Sequence, residues 1–182
     1  MIDALDFEAF VRTYQDIVYS TAVRLLGSPA EAEDVAQVVF LRAFERFDTI
    51  RSSPAAAGWL KAVTRNTCLN HLSRYRARWQ FFSELQHAGA DVDEASFEAS
   101  VPDGTSFEAQ VEHADLRAHL ERALERLPDH QRVPIVLFHF EQATYREIAD
   151  LLGVSIGKVK TDIHRGREAL KPFLRGLRDD AR

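Results

Sequence analysis

The sequence predicts an all-α protein made of two small helical domains joined by an acidic, flexible linker. Three observations support this fold class. Apolar residues recur at the spacing of amphipathic helices, only 8 Gly and 6 Pro interrupt a chain of 182 residues, and the periodicity is lost in one acidic stretch. The predicted boundaries are 1–82 for the first domain, 83–110 for the linker and 111–182 for the second domain.

The first helix is predicted over residues 6–26, where apolar residues recur every three or four positions. Gly27 stands where a C-terminal cap would be, and Ser28-Pro29 matches an N-cap followed by proline at the first helical position. These signals predict that one helix ends and the next begins within three residues.

The second helix is predicted to continue to about Phe47 and to be followed by a polar loop over residues 49–57. A third helix, amphipathic and basic, is predicted over residues 56–78. Three helices suffice for a small bundle that ends near residue 80.

Charge is divided sharply along the chain. Residues 49–83 hold six Lys or Arg and no acid, whereas residues 84–115 hold nine acids and no Lys or Arg. The whole chain has a net charge of −5. Without the acidic stretch it would hold 23 basic and 19 acidic residues. Such blocks indicate separate partners for separate parts of the chain. The acidic stretch is either a solvated spacer or a segment with a role of its own.

The second domain is predicted to begin near Val111 with a helix that stops at Pro128. A short helix over residues 130–140 follows it. Pro134 is difficult to place there, because proline in a helix interior removes a hydrogen bond and clashes with the preceding turn. We therefore expect this helix to begin late.

A helix-turn-helix is predicted between residues 144 and 170. Thr144 and Glu147 have the spacing of a capping box, Gly153 permits a tight turn, and Ser155 can cap the second helix. The outer face of that second helix presents Lys158, Lys160, Thr161, His164, Arg165 and Glu168, with Arg167 at its edge. Basic and polar side chains of this kind can bind phosphates and base edges of DNA. An ordinary helical hairpin with solvated charges is the alternative.

Other classes of site find no support in the residues. The single cysteine, Cys68, excludes an internal disulfide and a cysteine-based zinc site. The histidines form no recognised metal set, so we expect no metal, no cofactor and no small-molecule substrate. The N-terminus has no signal-peptide pattern, and no apolar run approaches a membrane span, so we expect a cytoplasmic protein without membrane insertion.

Two blocks of residues carry a family resemblance. The C-terminal block comprises Leu127-Pro128, Arg132, Leu137, Thr144-Tyr145-x-Glu147-Ile148-Ala149, Leu152-Gly153-Val154, Gly157-x-Val159-Lys160 and His164-Arg165-x-Arg167-x-x-Leu170. The N-terminal block comprises Ala32-Glu33-Asp34-Val35-x-Gln37, Phe40-Leu41-Arg42-Ala43, Trp59-Leu60 and Arg65-Asn66-x-x-Leu69-Asn70. The blocks resemble, respectively, region 4 and region 2 of the extracytoplasmic-function (group 4) RNA polymerase sigma factors of the sigma-70 family.

The resemblance implies a specificity subunit that binds core RNA polymerase, directs it to promoter DNA and takes part in melting the −10 element, while catalysing no reaction itself. It also implies an anti-sigma protein as an inhibitory partner, which could hold the chain at the membrane. In relatives the linker is threaded through the nucleic-acid channels of the polymerase, so the resemblance implies that role for residues 83–110.

The resemblance also assigns residues to three surfaces. The polymerase-binding residues are Asp34, Gln37 and Leu41. The residues for the −10 element are Lys61, Arg65, Asn66, Asn70 and Arg74. The residues for the −35 element are Lys158, Lys160, Thr161, His164, Arg165 and Arg167.

Four positions depart from the family pattern. Val38 stands where Glu is usual, and with its two apolar successors it could pack inside the bundle or form a more apolar docking surface. Lys158 replaces a common Thr, and Asp162, expected on a flank of the recognition face, replaces a common Arg or polar residue. Gly166 should cost about 1 kcal/mol of helix stability unless close packing requires it.

Two other classes of protein were weighed. A helix-turn-helix regulator that binds operators as a dimer would need a dimerisation helix and a ligand or phosphorylation domain, and residues 1–80 show neither pattern. A small helical enzyme would need a metal set, a phosphate-binding glycine loop or a nucleophile with its base, and none is evident.

Overall fold

The computed structural model describes the backbone of residues 4–72 and 114–179, and the side chains of residues 5–72 and 118–173. Every regular element in these ranges is a helix, which confirms the predicted all-α class. The N-terminal half contains α1 (Ala4–Leu26), α2 (Pro29–Glu45), α3 (Phe47–Ile50) and α4 (Ala56–His71). The C-terminal half contains α5 (Ala114–Glu125), α6 (Asp129–His139), α7 (Tyr145–Leu152) and α8 (Ile156–Asp179). The predicted linker, 83–110, lies outside the described residues.

In the N-terminal half, α1, α2 and α4 pack on one another around a buried apolar core. The predicted cap at the end of α1 is confirmed, since Gly27 adopts a left-handed conformation with φ of 64°. The predicted start of α2 is confirmed as well, because the Ser28 hydroxyl accepts a hydrogen bond from the Glu31 amide at 3.4 Å. At the other end of the bundle Phe7 meets Phe47 edge to face, with ring centroids 5.2 Å apart.

The segment that follows α2 differs from the predicted loop. The helix α2 ends at Glu45, and a single helical turn, α3, occupies part of the stretch for which a loop was predicted. Phe47 and Ile50, three residues apart on one side of this turn, are both buried in the core. A helix of a single turn is not stable by itself, so burial of these two side chains is what stabilises it. The helix α4 ends at His71, and the predicted continuation to residue 78 lies outside the described residues.

The helix-turn-helix geometry of α7 and α8 follows the sequence signals closely. The Thr144 hydroxyl accepts from the Glu147 amide at 3.3 Å, and the Glu147 carboxylate accepts from the Thr144 amide at 2.8 Å, which completes the capping box. Gly153 ends α7 in a left-handed conformation with φ of 68°. The Ser155 hydroxyl accepts from the Lys158 amide at 3.1 Å and so caps α8. All three predicted signals are confirmed.

The expectation that α6 begins late was wrong. It begins at Asp129, so Pro134 lies in its second turn and removes one helical hydrogen bond. The first turn is held by other contacts: the Arg132 amide donates to the Pro128 carbonyl at 3.0 Å, and the Arg132 guanidinium to the Leu127 carbonyl at 2.9 Å. Pro134 is itself buried, so its apolar ring contributes to packing where the hydrogen bond is missing.

The two halves pack against each other through α1, which contacts α5 and α6. The Arg132 side chain, 4% exposed, lies in this junction. Its Nε donates to the Leu25 carbonyl at 3.3 Å, and its Nη2 donates to the Leu26 carbonyl at 2.7 Å and to the Asp129 carboxylate at 2.5 Å. The last carbonyls of a helix lack intrahelical partners and carry a partial negative charge, so a guanidinium is well suited to bind them.

The junction leaves no room for a side chain at position 27, which is a glycine. A methyl group built on Gly27 would lie 2.5 Å from Nη1 of Arg132, and the positive φ would strain any other residue as well. We expect Gly27→Ala to lower the free energy of unfolding by about 1–3 kcal/mol. Urea unfolding followed by circular dichroism measures the change. The matched control is Gly58→Ala, since nothing lies within 4 Å of its added methyl group; equal losses in the two variants would contradict this account.

Candidate functional site

One face of α2 is exposed and combines polar with apolar side chains. Five side chains on this stripe point outward: Asp34, Gln37, Val38, Leu41 and Phe44. Leu41 is 66% exposed, which is high for a leucine. The three consecutive apolar residues that begin at Val38 differ in burial: Val38 is exposed, Val39 is buried in the bundle and Phe40 is half-buried. An apolar strip with polar neighbours is typical of a protein-docking surface.

The residues predicted for the −10 element lie on two faces of α4. Asn66 and Asn70 are exposed and one turn apart on one face. Lys61 and Arg65 are half-buried and lie one turn apart on a second face of α4. Lys61 precedes Asn66 by five residues, and Arg65 precedes Asn70 by five, so the two faces are about 140° apart around the helix. Arg74 lies outside the described residues. The fold therefore does not gather the predicted set into one surface.

Lys61 and Arg65 face the C-terminal half. A cleft of about 480 Å³ is bordered by Arg65 and by residues of the turn before α7 and of α7 itself: Glu141, Gln142, Ala143, Glu147, Asp150 and Leu151. A second cleft, between α1 and α4, has Lys61 and Glu141 on its walls. Within the described ranges, Nε of Arg65 is buried and has no hydrogen-bond partner. The basic side of α4 thus faces carboxylates of the same chain.

The outer face of α8 carries part of the predicted −35 set. His164 and Arg165 are exposed, while Lys160 and Thr161 are half-buried. The Thr161 hydroxyl donates to the Gly157 carbonyl at 2.9 Å. These four side chains lie in the second and third turns of the second helix of the helix-turn-helix, the helix that enters a DNA groove in such motifs.

Lys158 does not share that face. It is 6% exposed, and its Nζ donates to both carboxylate oxygens of Asp162, at 2.6 and 2.5 Å. Asp162 is 4% exposed; burial raises its pKa, and the hydrogen bond and charge of Lys158 oppose that rise. The predictions that Lys158 presents its charge outward and that Asp162 flanks the recognition face were wrong, because packing of α6 on α8 covers both. Opposite charges four residues apart were the signal available in the sequence.

Arg167 also points inward. Its Nε donates to Nε2 of His139 at 3.2 Å, and its guanidinium lies 5.5 Å from the centroid of the Phe138 ring. Burial, together with the Arg167 charge, lowers the pKa of His139 to about 4, so the imidazole is a neutral acceptor. In the free chain Arg167 thus forms a contact between α8 and α6, and its part in the DNA surface stays a prediction. Gly166 is buried against Ile135, so close packing accounts for a glycine there.

The described residues contain no cluster of His, Cys, Asp or Glu suited to a metal ion. None of their helices combines the length and apolar character needed to cross a bilayer. Burial raises the pKa of the Cys68 thiol to about 12, which makes it a poor nucleophile. Sequence analysis missed the role of Arg132, because two of the carbonyls that it binds, those of Leu25 and Leu26, lie more than a hundred residues away.

Comparison with known proteins agrees with the two-block pattern. A family model described as Sigma-70 region 2 matches residues 10–78, and one described as Sigma-70, region 4 matches residues 117–170. The ECF RNA polymerase sigma factor SigW of Bacillus subtilis is 32% identical over 171 residues, 94% of this chain and 90% of that protein. The RNA polymerase sigma-E factor of Streptomyces coelicolor is 33% identical over 182 residues, 100% of this chain and 93% of the relative.

A solved structure of the sigma factor RpoE in complex with the anti-sigma factor NepR, from Bartonella quintana, also resembles this chain. Its TM-score is 0.49 at 22% sequence identity, over 93% of this chain and 97% of the other. The sequence relatives alone, at more than 30% identity over nearly the whole chain, settle which family is involved.

The buried ion pair supplies a test of the corrected role of Lys158. We expect Lys158→Met to lower the free energy of unfolding by about 3 kcal/mol, because it leaves the Asp162 carboxylate buried without a cation. Lys160→Met, two positions along the same helix, should change it by less than about 0.5 kcal/mol. Urea unfolding measures both. The double variant Lys158→Met/Asp162→Leu should recover most of the loss; no recovery would refute the pairing.

His139 predicts a pH dependence. Its folded pKa of about 4 lies below the 6.5 of an unperturbed histidine, so stability present above pH 6.5 is lost as the pH falls toward 4. Between about pH 7.5 and pH 5 we expect a loss on the order of 1 kcal/mol, discounted for partial exposure of the ring. His139→Gln, which keeps an acceptor for Arg167, should remove this part of the dependence of the urea midpoint. The exposed control His119→Gln should retain it, and identical pH profiles in all three proteins would exclude this role.

Proposed function

This chain belongs to the sigma-70 family as an RNA polymerase sigma factor of the extracytoplasmic-function group, and on that premise we propose how its surfaces direct transcription initiation. We propose that residues 1–82 and 111–182 act as two promoter-binding domains, joined by a linker at 83–110. The observation that carries the proposal is the presence of both matched regions, in order, on one chain. The chain itself would catalyse no reaction and need no cofactor, since the chemistry of RNA synthesis belongs to the polymerase.

The exposed stripe of α2 is the proposed contact with core RNA polymerase. Asp34 and Gln37 supply polar groups at one end of the stripe, and Leu41 supplies an apolar side chain that is largely exposed to solvent. Val38, about one turn before Leu41 on the same face, extends the apolar strip. Burial of such a strip favours association in proportion to the apolar area removed from water, and the polar groups fix the register.

The exposed amides of α4 are the proposed readers of the −10 element. An amide offers both a donor and an acceptor, so Asn66 and Asn70 can pair with the edge of a base that has left the stack. Lys61 and Arg65, with Arg74 beyond the described residues, would neutralise phosphates of the same strand. Because the two pairs lie on different faces of α4, the strand would have to pass around the helix.

The start of α8 is the proposed reader of the −35 element. His164 and Arg165 are exposed there, and Lys160 and Thr161 border them. Arginine can donate two hydrogen bonds to a guanine edge in the major groove, and lysine can bind phosphate without regard to sequence. Arg167, half-buried beside His139, would add a further cation at the edge of this surface, whereas Lys158 is paired with Asp162 in the interior.

We also propose a cytoplasmic location and an anti-sigma protein as an inhibitory partner, which could hold the chain at the membrane. The support is the apolar stripe of α2 around Leu41, which in the free chain is exposed to water. A partner that covers this stripe would block access to the polymerase while burying apolar surface of its own.

Reconstitution with core polymerase tests the function as a whole. The purified chain, freed of any co-purifying inhibitor, is mixed with core enzyme and genomic DNA, and transcript start sites are mapped by sequencing. We expect a discrete set of start sites that share two upstream elements and are absent with core enzyme alone. A chain that shifts a DNA duplex unaided but confers no start sites would instead be an operator-binding regulator.

A variant in α2 tests the polymerase contact. We expect Leu41→Glu to weaken binding to core polymerase at least about tenfold, because it places a charge in the centre of an apolar contact. The control is Glu33→Ala, an exposed residue about 80° from Leu41 around the same helix, which should leave binding unchanged. Fluorescence anisotropy of the labelled chain, titrated with core enzyme, measures both. Equal affinities for the two variants would rule out this face.

A further inference from the structure

The face of α4 that carries the two exposed amides has no Lys or Arg of its own. The Lys and Arg residues of α4 are Lys61 and Arg65, and both lie on the second face, about 140° around the helix from the amides. A nucleic-acid strand carries a negative charge on each phosphate, so a strand whose bases reach Asn66 and Asn70 brings phosphates to a face without a cation. A cation for these phosphates has to come from another element.

Arg42 of α2 places a guanidinium beside this face. Its Nη1 donates to the hydroxyl of Thr67 on α4 at 3.1 Å, across 25 positions of sequence. Thr67 lies about 60° from Asn70 and about 160° from Arg65 around α4. The guanidinium is thus held on the side of the amides and away from the basic face.

A short chain of hydrogen bonds orients Arg42. The Thr67 hydroxyl donates its hydrogen to the Val63 carbonyl at 2.7 Å, so its oxygen is left to accept from Arg42. The backbone of Arg42 is fixed as well, because its neighbour Ala43 and Val39, about one turn earlier, are buried in the core. Both ends of the Arg42 side chain are therefore positioned before any ligand binds.

The guanidinium has donors left for a ligand. Arg42 is exposed, and its bond to Thr67 uses one of the five N–H groups that a guanidinium carries. Within residues 5–72 and 118–173, no carboxylate is paired with it. Where α2 and α4 meet again, Glu31 lies 3.6 Å from Nε2 of His71, but Glu31 stands eleven residues before Arg42, about 16 Å along α2. The charge of Arg42 is therefore available to an anion from solvent.

We propose that Arg42 binds a phosphate of the single strand whose bases Asn66 and Asn70 read, and that Thr67 positions its guanidinium. The proposal deepens the proposed function and rests on it, because it takes the amide face as the reader of the −10 element. Arginine suits the contact, since its planar guanidinium can donate two parallel hydrogen bonds to a phosphate. A strand bound in this way can lie along the boundary between α2 and α4, and it meets a cation without passing around α4.

Arg42 stands on the helix that carries the proposed polymerase contact, so the two roles have to be separated. It lies about 100° from Leu41 around α2, and its hydrogen bond is made to α4. A polymerase contact predicts that loss of the charge weakens binding to core enzyme. A phosphate contact predicts unchanged binding to core enzyme and weaker binding of the holoenzyme to DNA.

Binding of the holoenzyme to a fork tests the contact. Core polymerase reconstituted with the full chain is titrated into a fluorescent fork whose non-template strand is single-stranded across the −10 element of a mapped start site. We expect Arg42→Gln to weaken binding about fivefold to tenfold at low salt, because one charge-assisted contact is lost. The slope of log K against log salt should fall in magnitude by about 0.7, the value for one contact to a single strand. Arg42→Lys, which keeps the charge, should restore the slope.

The matched control is Arg12→Gln, which removes the same charge from an exposed position of α1 and should change neither quantity. Asn66→Ala should reduce the preference for the −10 sequence and leave the salt slope unchanged. Thr67→Val should also keep the slope, because the charge remains. It should weaken binding about twofold to threefold, because the guanidinium loses its orienting hydrogen bond. Unfolding curves confirm that each variant is folded.

Neutral phosphates locate the contact. Fork strands that carry a single methylphosphonate, moved one position at a time through the −10 element, are compared for wild type and Arg42→Gln. One position should weaken the binding of wild type and have no further effect on Arg42→Gln, because the same contact is already missing there.

Three results overturn the proposal. The first is an Arg42→Gln holoenzyme that binds the fork as tightly as Arg12→Gln does, with the same salt slope. The second is weaker binding of Arg42→Gln to core enzyme, which would assign the residue to the polymerase contact. The third is a methylphosphonate scan in which both proteins respond at the same positions. The proposed function fails in a different way, since wild type and core polymerase would then give no start sites.

Discussion

The arrangement of the two halves depends on one buried guanidinium, that of Arg132. It binds the carbonyls of Leu25 and Leu26 in one half, and the Leu127 carbonyl and Asp129 carboxylate in its own half. A charge that is 4% exposed is tolerable only when its donors are satisfied, and here the acceptors come from both halves. Removal of the N-terminal half would take away the two acceptors that Leu25 and Leu26 provide. The same group therefore closes the turn before α6 and joins α6 to α1.

This junction explains how a chain of net charge −5 can present basic surfaces selectively. The proposed polymerase-docking stripe of α2 and the outer face of α8 are both exposed while the halves are docked. Lys61 and Arg65 are half-buried, because they border clefts whose walls include α1, the turn before α7 and α7 itself.

Local signals predicted the local structure, and contacts distant in sequence accounted for the errors. The caps at Ser28, Gly27 and Gly153 were predictable because each depends on the backbone within three or four residues. The inward orientation of Lys158 was not, because it depends on how α6 covers α8, and family resemblance suggested an outward role. The start of α6 before Pro134 likewise depends on contacts made by Arg132. The residues Asp34, Gln37 and Leu41 of the α2 stripe were assigned through the family resemblance, and all three are exposed.

The distance between the halves in solution tests the central claim most directly. Spin labels at Thr49 and Ala169, both exposed and one in each half, can be measured by pulsed electron resonance with the buried Cys68 replaced by Ser. The account predicts a single narrow distance distribution in the free chain. A broad distribution in the free chain would contradict it.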